Sequence, residues 1–232
     1  MMDGQSRRVI IAIDGPAGAG KSTIARRVAG RLGFTYIDTG AMYRAVALWA
    51  LRQNLNPAYT QHMQELAKAA RIELEAGSPR VLLNGEDVTE AIRTPEVTSA
   101  ASVVAVIPGV RRALVEKQRE MGERASVVME GRDIGTVVFP NADVKIFLDA
   151  NPQERVRRRF VELQEKSSPV EAEAVAEQIR ERDDRDRTRA EAPLTQAPDA
   201  VYVDSSGLSI DEVEEAVLKL VRTRISNGKG FH

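Results

Sequence analysis

The chain has 232 residues, of which 43% are hydrophobic and 29% charged, a balance typical of one globular domain with a sizeable core and not of a disordered chain. Lys and Arg number 33 against 34 for Asp and Glu, and the net charge of −1 argues against a protein that binds a nucleic acid polymer. Cysteine is absent, which excludes disulfides, thiolate catalysis and cysteine zinc sites, and a total of two histidines argues against a histidine metal centre or catalytic triad.

The hydrophobic residues are distributed in short runs. No run approaches the roughly 18 apolar residues that a membrane-spanning helix needs. The apolar segment Val9–Ile13 is too short for the core of a signal peptide. We therefore predict a cytoplasmic protein with no membrane partner, and the balanced charge and modest length are compatible with a monomer.

Strand-like and helix-like patterns alternate along most of the chain. The predicted core strands are Val9–Ile13, Phe34–Asp38, Ser126–Met129, Val144–Leu148 and Ala200–Val203. Between them, Ile24, Val28 and Leu32 recur at helical spacing. Gly33 then marks the end of that helix, and a second apolar stripe follows Asp211. The alternation predicts an α/β fold in which helices cover both faces of a parallel sheet.

One segment, residues 60–98, breaks this alternation. Its strand-like runs are Ile72–Glu75, Arg80–Leu83 and Glu86–Val88. Asn84-Gly85, between the last two runs, is a strong signal of a two-residue β-hairpin turn. We predict an inserted domain of short antiparallel hairpins at 60–98, with the core formed by 1–59 and 99–232.

Residues 15–22 read GPAGAGKS and match the phosphate-binding pattern G-x-x-x-x-G-K-[ST]. A predicted strand precedes them and a helical pattern follows, which is the setting that this loop requires. Glycines allow consecutive backbone N–H groups to point at phosphate oxygens, and the helix directs its positive end at the same place. A structural glycine-rich turn is the alternative. The residues predicted to bind ATP are Gly15, Pro16, Ala17, Gly18, Ala19, Gly20, Lys21, Ser22 and Thr23.

Two side chains of this loop carry specific chemistry. Lys21 is expected to bridge the β- and γ-phosphates of ATP, and the hydroxyl of Ser22 is expected to ligate Mg²⁺. The chain has neither the N-K-x-D motif of a GTPase nor an LSGGQ-like segment of a transporter ATPase, which argues against both classes.

Two polar clusters follow predicted strands, where the ligands of open parallel sheets gather. DTGAMYR begins at Asp38, which could equally cap the helix that starts there. EGRDIG begins at Glu130, and its glycines around an Arg-Asp pair suit either a ligand-binding turn or a plain surface turn. Asp38 or Glu130 could hold Mg²⁺ through water, or serve only as hydrogen-bonding scaffold.

A charged run lies at residues 182–189. Arg182, Asp186 and Arg189 are spaced four and three residues apart and share one side of a helix. Two guanidinium groups around a carboxylate could grip a phosphorylated sugar. The alternative is a solvated helix face with ion pairs such as Asp183–Arg187.

An arginine-rich helix is predicted after Asn151-Pro152. Its arginines are Arg155, Arg157, Arg158 and Arg159. A helix at about 151–168 could be a lid that brings arginines to the transferring phosphoryl group. It could equally be an exposed basic helix paired with Glu154 and Glu162.

These motifs together resemble the bacterial cytidylate (CMP/dCMP) kinase family. The similar segments are IDGPAGAGKST, DTGAMYR, EGRDIGTVVFP, VKIFLDA, ERDDRDRTRAEAPL and the DSS of residues 204–206, so the resemblance runs from the phosphate loop to the last strand. It implies a P-loop fold with a five-stranded parallel sheet wrapped by helices, a small inserted acceptor-side domain and a helical lid. It also implies ATP as the phosphoryl donor, Mg²⁺ as the cofactor and CMP or dCMP as the acceptor.

The resemblance implies roles for individual residues. The phosphate-gripping arginines would be Arg44, Arg132 and Arg189. The sugar contacts would be Arg182 and Asp186. The cytosine-reading residues would be Ser102, Arg111 and Asp133. Thr39 and Tyr43 complete the predicted acceptor site, and the predicted catalytic residues are Lys21, Arg132, Arg189 and Arg158.

The chemistry expected of these residues is electrostatic. A phosphate monoester, with a second pKa of about 6, is mostly dianionic at neutral pH and needs no general base. Positive charge is needed instead, to bring two polyanions into line and to stabilise the moving phosphoryl group. Asp133 would accept a hydrogen bond from the amine of cytosine and would meet an unfavourable carbonyl in uracil.

Two other functions are alternatives to this prediction. One is a P-loop kinase for another small acceptor. The other is a non-catalytic ATP-sensing module that presents an interaction surface on the insert. ADP release measured with a panel of acceptors separates all three.

Overall fold

Five parallel strands form the central sheet of the computed structural model, which describes residues 7–56, 59–75, 77–165 and 171–227. With all strands numbered in chain order, these are β1 (Ile10–Asp14), β2 (Thr35–Asp38), β6 (Val127–Gly131), β7 (Val144–Asp149) and β8 (Val201–Asp204). Their order across the sheet is β2-β6-β1-β7-β8, and every neighbouring pair is parallel. The predicted α/β fold class and the predicted core strands are confirmed, with small differences at the strand ends.

Helices occupy most of the chain between the strands. They are α1 (Lys21–Leu32), α2 (Thr39–Arg52), α3 (Thr60–Ala69), α4 (Pro95–Val104), α5 (Pro108–Gly122), α6 (Pro152–Glu165), α7 (Ala172–Thr188) and α8 (Ile210–Asn227). A 3-10 turn covers Ala91–Arg93 and a π-helical turn covers Ile134–Val138. Gly33 ends α1 in a left-handed conformation with φ of 68°, as the sequence predicts.

The central sheet is buried between two helical layers. On one face, Ile11 of β1 belongs to a cluster with Val28 of α1 and Val217 of α8. On the other face, Ala12 of β1 belongs to a cluster with Val115 of α5. This double burial is the physical reason for the nearly continuous apolar strands.

The strand order reverses at β1. The chain passes from β1 through α1 to β2 on one side, whereas β7 and β8 lie on the other side. Ligands of open α/β sheets bind outside the carboxyl ends of the strands at such a point. The loop that follows Asp14 therefore begins where a site is expected.

A second sheet lies in the segment that breaks the alternation. Its three antiparallel strands are β3 (Ile72–Leu74), β4 (Val81–Leu83) and β5 (Glu86–Asp87). Asn84 and Gly85 have φ of 53° and 88°, the positive angles of a type I′ hairpin turn, so the predicted hairpin is confirmed. The apolar cluster that includes this sheet extends from Ala41 of α2 to Leu114 of α5. Because the cluster continues past both ends of 60–98, the boundaries of the inserted domain stay a prediction.

Helices α6 and α7 pack on each other through Leu163 of α6 and Val175 and Ile179 of α7. The segment predicted to be a lid, about 151–168, contains α6, and its residues 166–168 lie outside the described residues.

Within the described ranges, no single helix is long and apolar enough to cross a membrane. Helices α4 and α5 pass that test only as a pair, and they are bent by 101° where they meet.

Candidate active site

The loop between β1 and α1 is shaped by its glycines. A side chain at Gly15 is impossible without rearrangement, because its Cβ would lie 1.9 Å from the carbonyl oxygen of Leu148 in β7. Gly20 precedes α1 with φ of 88°, a conformation that glycine adopts without strain. The loop is therefore pressed against the end of β7 and delivers Lys21 to the first position of α1.

Lys21 is buried inside this loop. Its Nζ donates a hydrogen bond of 2.6 Å to the carbonyl oxygen of Pro16. Burial, reinforced by the charge of Arg132, lowers the pKa of Lys21 from its usual 10.5 to about 7. A negative charge close to Nζ would favour the ammonium form, and a phosphate group has that charge.

Asp38 caps α2, which is one of the roles that its position in the sequence predicts. Its Oδ1 accepts a hydrogen bond of 2.9 Å from the N–H of Ala41, which caps α2. Its Oδ2 accepts one of 2.8 Å from Nη2 of Arg44. Burial opposes ionisation of Asp38, but Arg44 and the capping N–H outweigh it and lower the pKa.

Glu130 of β6 lies in register with Asp38 of β2. Its Oε1 accepts a hydrogen bond of 2.5 Å from the hydroxyl of Tyr36, and its carboxylate also accepts one from Ser22. Burial and the neighbouring Asp38 raise the pKa of Glu130. The sequence analysis missed Tyr36. It is an ordinary strand residue, and the sequence does not show that β6 is the neighbour of β2 or that Glu130 lies against Tyr36.

The oxygen atoms around Ser22 fit a hydrated Mg²⁺ ion. Over the parts of the chain that are described, no group of three or more His, Cys, Asp or Glu side chains could hold a metal ion. Mg²⁺ keeps several waters and needs few direct protein ligands. A serine hydroxyl hydrogen-bonded to a buried carboxylate whose pKa is raised is a place where a cation would be stabilised.

A cleft of about 540 Å³, measured with its open mouth, lies beside the carboxyl end of β6. All the residues predicted for the acceptor site line it, namely Thr39, Tyr43, Arg44, Ser102, Arg111, Arg132, Asp133, Arg182, Asp186 and Arg189. The fold thus brings together residues of α2, α4, α5, α7 and the turn after β6, although their individual roles stay predictions.

Ion pairs organise the charges of the cleft. Nε of Arg132 donates to Oδ2 of Asp186 at 2.8 Å. Nη2 of Arg111 donates to Oδ2 of Asp133 at 2.5 Å. Arg189 lies between the two carboxylates: its Nη2 is 3.6 Å from Oδ1 of Asp133, and its Nη1 is 3.6 Å from Oδ1 of Asp186. Five arginines and two aspartates line the cleft, so it favours an anionic ligand.

Two further arginines of the cleft, Arg182 and Arg44, would be stabilised by an anionic ligand. Burial and the charge of Arg132 lower the pKa of Arg182 to about 10. Nε of Arg44 is buried without a hydrogen-bond partner in the described structure. An oxyanion in the cleft would satisfy this donor and relieve the repulsion among the guanidinium groups.

The charged side chains of α7 contact two different parts of the structure, the cleft and helix α6. Arg182, Asp186 and Arg189 face the cleft, as their spacing predicts, while Arg187 is exposed. Asp183 does not pair with Arg187, the pairing that a solvated face would allow. It is buried and accepts a hydrogen bond of 2.6 Å from Nη1 of Arg155.

The four arginines of α6 have different surroundings. Arg155 is buried, and its Nη1 also reaches the carbonyl oxygen of Ala17 in the phosphate loop at 3.1 Å. Arg158 donates to the hydroxyl and the carbonyl oxygen of Ser205 at 2.8 and 2.7 Å. Arg157 and Arg159 pair with Glu154 and Glu162 near the surface, the arrangement expected of an exposed basic helix. The sequence did not separate the inward from the outward arginines.

Asp14 is a buried carboxylate that the sequence analysis missed. Its two oxygens accept the N–H groups of Ile134 and Gly135 at 2.8 and 2.7 Å. Burial raises the pKa of Asp14 from 3.8 to about 6, against the lowering effect of these hydrogen bonds. The available signal was an acidic residue at the end of an apolar strand, directly before the first glycine of the loop.

A nucleotide loop at the reversal point of the sheet, next to a second site for an anion, is the arrangement of a P-loop kinase. A model of the family described as cytidylate kinase matches residues 11–223. This chain belongs to the cytidylate kinase family and is an enzyme, a kinase.

Curated relatives agree over the whole length of the chain. It is 66% identical over 233 residues to the cytidylate kinase of Solibacter usitatus, with all of both chains covered. It is 55% identical over 212 residues to the cytidylate kinase of Desulforamulus reducens, covering 91% of this chain and 96% of the relative. Among solved structures, an uncharacterized protein of Eubacterium ventriosum is similar in fold alone, with a TM-score of 0.54 at 11% identity over 93% of this chain and 99% of that one.

Proposed function

We propose that this kinase transfers the γ-phosphoryl group of ATP to CMP or dCMP, giving ADP and CDP or dCDP, by in-line transfer without a general base. The observation that carries the proposal is the cleft, which is lined by five arginines and by the buried carboxylate of Asp133. Two of these arginines, Arg132 and Arg182, are close enough to Lys21 of the phosphate loop to lower its pKa. Family membership supports the same acceptor.

In the proposed donor site, Gly15–Thr23 bind the phosphates of ATP. Lys21 bridges the β- and γ-phosphates, and the carbonyl oxygen of Pro16 holds its ammonium group in the loop. The negative charge of the phosphates would stabilise the protonated form of Lys21, and its pKa would rise from about 7 toward the usual 10.5.

Ser22 would hold Mg²⁺ directly, and Asp38 or Glu130 would hold it through water. The ion would supply positive charge and orientation to the β- and γ-phosphates. Tyr36 keeps the carboxylate of Glu130 at the side of Ser22 through its hydrogen bond.

In the proposed acceptor site, Arg44, Arg132 and Arg189 bind the phosphate of CMP. Arg182 and Asp186 contact the sugar. Arg132 is already oriented by Asp186, and a planar guanidinium fixed in this way can give two hydrogen bonds to a phosphate at little cost in side-chain entropy. The phosphate dianion is itself the nucleophile, so these residues only position it and stabilise charge.

Base selection is assigned to Asp133, with Ser102 and Arg111 beside it. Arg111 orients the carboxylate of Asp133 through its hydrogen bond, and a carboxylate that accepts one hydrogen bond can still accept another from the amine of cytosine. Uracil presents a carbonyl at that position, which leaves two acceptors facing each other.

Helix α6 is proposed as a lid and Arg158 as its catalytic arginine. Nη1 of Arg158 is 3.4 Å from the carbonyl oxygen of Ala19, so the guanidinium is adjacent to the phosphate loop. The second sheet, within 60–98, is proposed as the inserted acceptor-side domain. We further propose that the protein acts as a cytoplasmic monomer, for which the sequence argument is the support.

The experiment measures ADP release from ATP and Mg²⁺ with CMP, dCMP, UMP, AMP or no acceptor. CMP-dependent or dCMP-dependent release is expected, with CMP preferred to UMP at least about tenfold. Release with a different acceptor would identify another kinase activity, and no release with any acceptor would identify an ATP-sensing module.

A further inference from the structure

Asp14 links the two halves of the site through the backbone. It is the last residue of β1 and directly precedes the phosphate loop. Its side chain, 5% exposed, crosses to the turn after β6 and accepts hydrogen bonds from Ile134 and Gly135. These are the two residues that follow Asp133.

The contact is specific in geometry. Each carboxylate oxygen accepts one backbone N–H, so two consecutive amides are held at once. Both amides lie in the first turn of the π-helical segment Ile134–Val138, where N–H groups need an acceptor from outside. A Cβ on Gly135 would lie 3.3 Å from Oδ2 of Asp14, so the absence of a side chain there permits the close approach.

Asp133 is consequently held at two points. Its side chain is oriented by Arg111, and its backbone is continuous with the two amides that Asp14 holds. We infer that Asp14 is a positioning residue for base selection, which sets the place of the Asp133 carboxylate by fixing the turn behind it. This inference rests on the proposed function, because it takes Asp133 as the residue that reads the base.

The test uses Asp14→Asn in the full chain. Asparagine has nearly the same shape but only one oxygen, so one amide loses its acceptor and faces an N–H₂ group. The ratio of kcat/KM for CMP to that for UMP is expected to fall about tenfold. The Kd of ATP, measured without acceptor, is expected to stay at its wild-type value.

Asp143→Asn is the matched control. Oδ2 of Asp143 accepts the N–H of Ile10 at 2.9 Å, at the opposite end of the same strand. Its other oxygen pairs with Arg7, so this variant makes the same carboxylate-to-amide change at a partly buried amide contact far from the turn, and its ratio of CMP to UMP efficiency should equal that of the wild type.

Circular dichroism establishes whether Asp14→Asn folds. If it does not, Gly135→Ala decides. Its methyl group would lie 3.1 Å from Cδ of Lys145 and 3.3 Å from Oδ2 of Asp14, so it displaces the turn relative to Asp14 and leaves the charge in place, and the same fall in the ratio is expected. A folded variant with the wild-type ratio overturns the inference. A loss of ATP affinity with an unchanged ratio also overturns it, since Asp14 would then act only on the phosphate loop.

Asp133→Ala, measured in parallel, separates this inference from the proposed function. If the wild type does not prefer CMP, or Asp133→Ala keeps the preference, then Asp133 does not read the base and both ideas fail. If Asp133→Ala loses the preference and Asp14→Asn keeps it, only the role of Asp14 is wrong.

Discussion

Arg111 and Asp133 form an ion pair with both side chains almost completely buried, 3% and 7% exposed. The guanidinium of Arg111 also lies over the ring of Tyr43, with Cζ 5.5 Å from its centroid. The carboxylate that is proposed to read the base is therefore part of the packing of the protein and not only a group awaiting a ligand.

Asp133→Ala should remove base selection and also reduce stability. Two buried guanidinium groups, Arg111 and Arg189, would lose their common carboxylate, and breaking a buried pair from one side costs about 3–5 kcal/mol. Relative kcat/KM for CMP and UMP and urea unfolding measure the two effects. Asp184→Ala, on the exposed side of α7, is the control and should change neither quantity. A variant that still rejects UMP as well as the wild type would contradict the role of Asp133.

Lys21→Met should reduce phosphoryl transfer by about 10²–10³-fold or more, because a positive charge at the moving phosphoryl group is lost. Its effect on stability should depend on pH. Burial of the protonated Lys21 side chain lowers the free energy of unfolding by its full amount below pH 7. This loss of stability decreases between pH 7 and 10.5, because folded Lys21 is then neutral. Urea unfolding without nucleotide should thus favour the variant more at pH 6.5 than at pH 10. Full activity in the variant, or the opposite trend with pH, would contradict this account.

Asp14 should make stability depend on pH in the acidic range. Burial raises its pKa from 3.8 to about 6, and the neighbouring charges are Asp133, which raises the pKa, and Lys21, which lowers it. The ionised group is penalised above pH 6, and the penalty disappears as the pH falls toward 3.8. The unfolding free energy of the wild type minus that of Asp14→Asn should therefore increase from pH 7.5 to pH 5, by about 1.4 kcal/mol, because about one pH unit of the shift lies in this range. A decrease over this range would show that the carboxylate is not destabilised by burial.

Arg155→Ala should weaken both the fold and ATP binding. Asp183 would stay buried without its cation, which costs about 3–5 kcal/mol, and the carbonyl oxygen of Ala17 would lose a donor. Thermal unfolding and the Kd of ATP measure these effects. Arg157→Ala, an exposed arginine on the same helix, is the control and should change neither. Combining Arg155→Met with Asp183→Leu should recover stability but not ATP affinity, and recovery of both would contradict the contact with the loop.

Arg158→Ala should reduce kcat far more than it raises the KM of either substrate. An arginine that faces the transferring phosphoryl group contributes about 10³–10⁵-fold to the rate. Steady-state kinetics with ATP and CMP measure the two parameters, and Arg157→Ala again serves as the control. An unchanged kcat would show that Arg158 has only a structural role, through its contacts with Ser205, Ala19 and Glu154.

The fold was predictable because its signals are local. The phosphate loop requires glycines at positions where the backbone is strained or pressed against β7, and Gly15 and Gly20 meet those conditions. The hairpin at Asn84-Gly85 needs two consecutive positive φ angles, which few residue pairs tolerate. Strands covered on both faces must be apolar throughout, so their positions were visible within one or two residues.

Part of the site was predictable from spacing and resemblance. Arg182, Asp186 and Arg189 share one side of α7 because helical spacing places them there. Ser102 and Arg111 have no local signal, and only the resemblance to the family selected them. Their presence in the cleft depends on the packing of α4 and α5 against the segment after β6.

The chain by itself determined which backbone positions turn, which strands are buried and where a phosphate loop begins, because each of these depends on the conformational limits and hydrophobicity of neighbouring residues. The tertiary structure decided which charges meet. Asp183 pairs with Arg155 and not with Arg187, and Asp14 holds a turn more than a hundred residues away. Such pairings depend on the distance between the side chains and on their burial, which strengthens the interaction. Both are set by how the elements pack in three dimensions, so the amino-acid sequence alone does not show them.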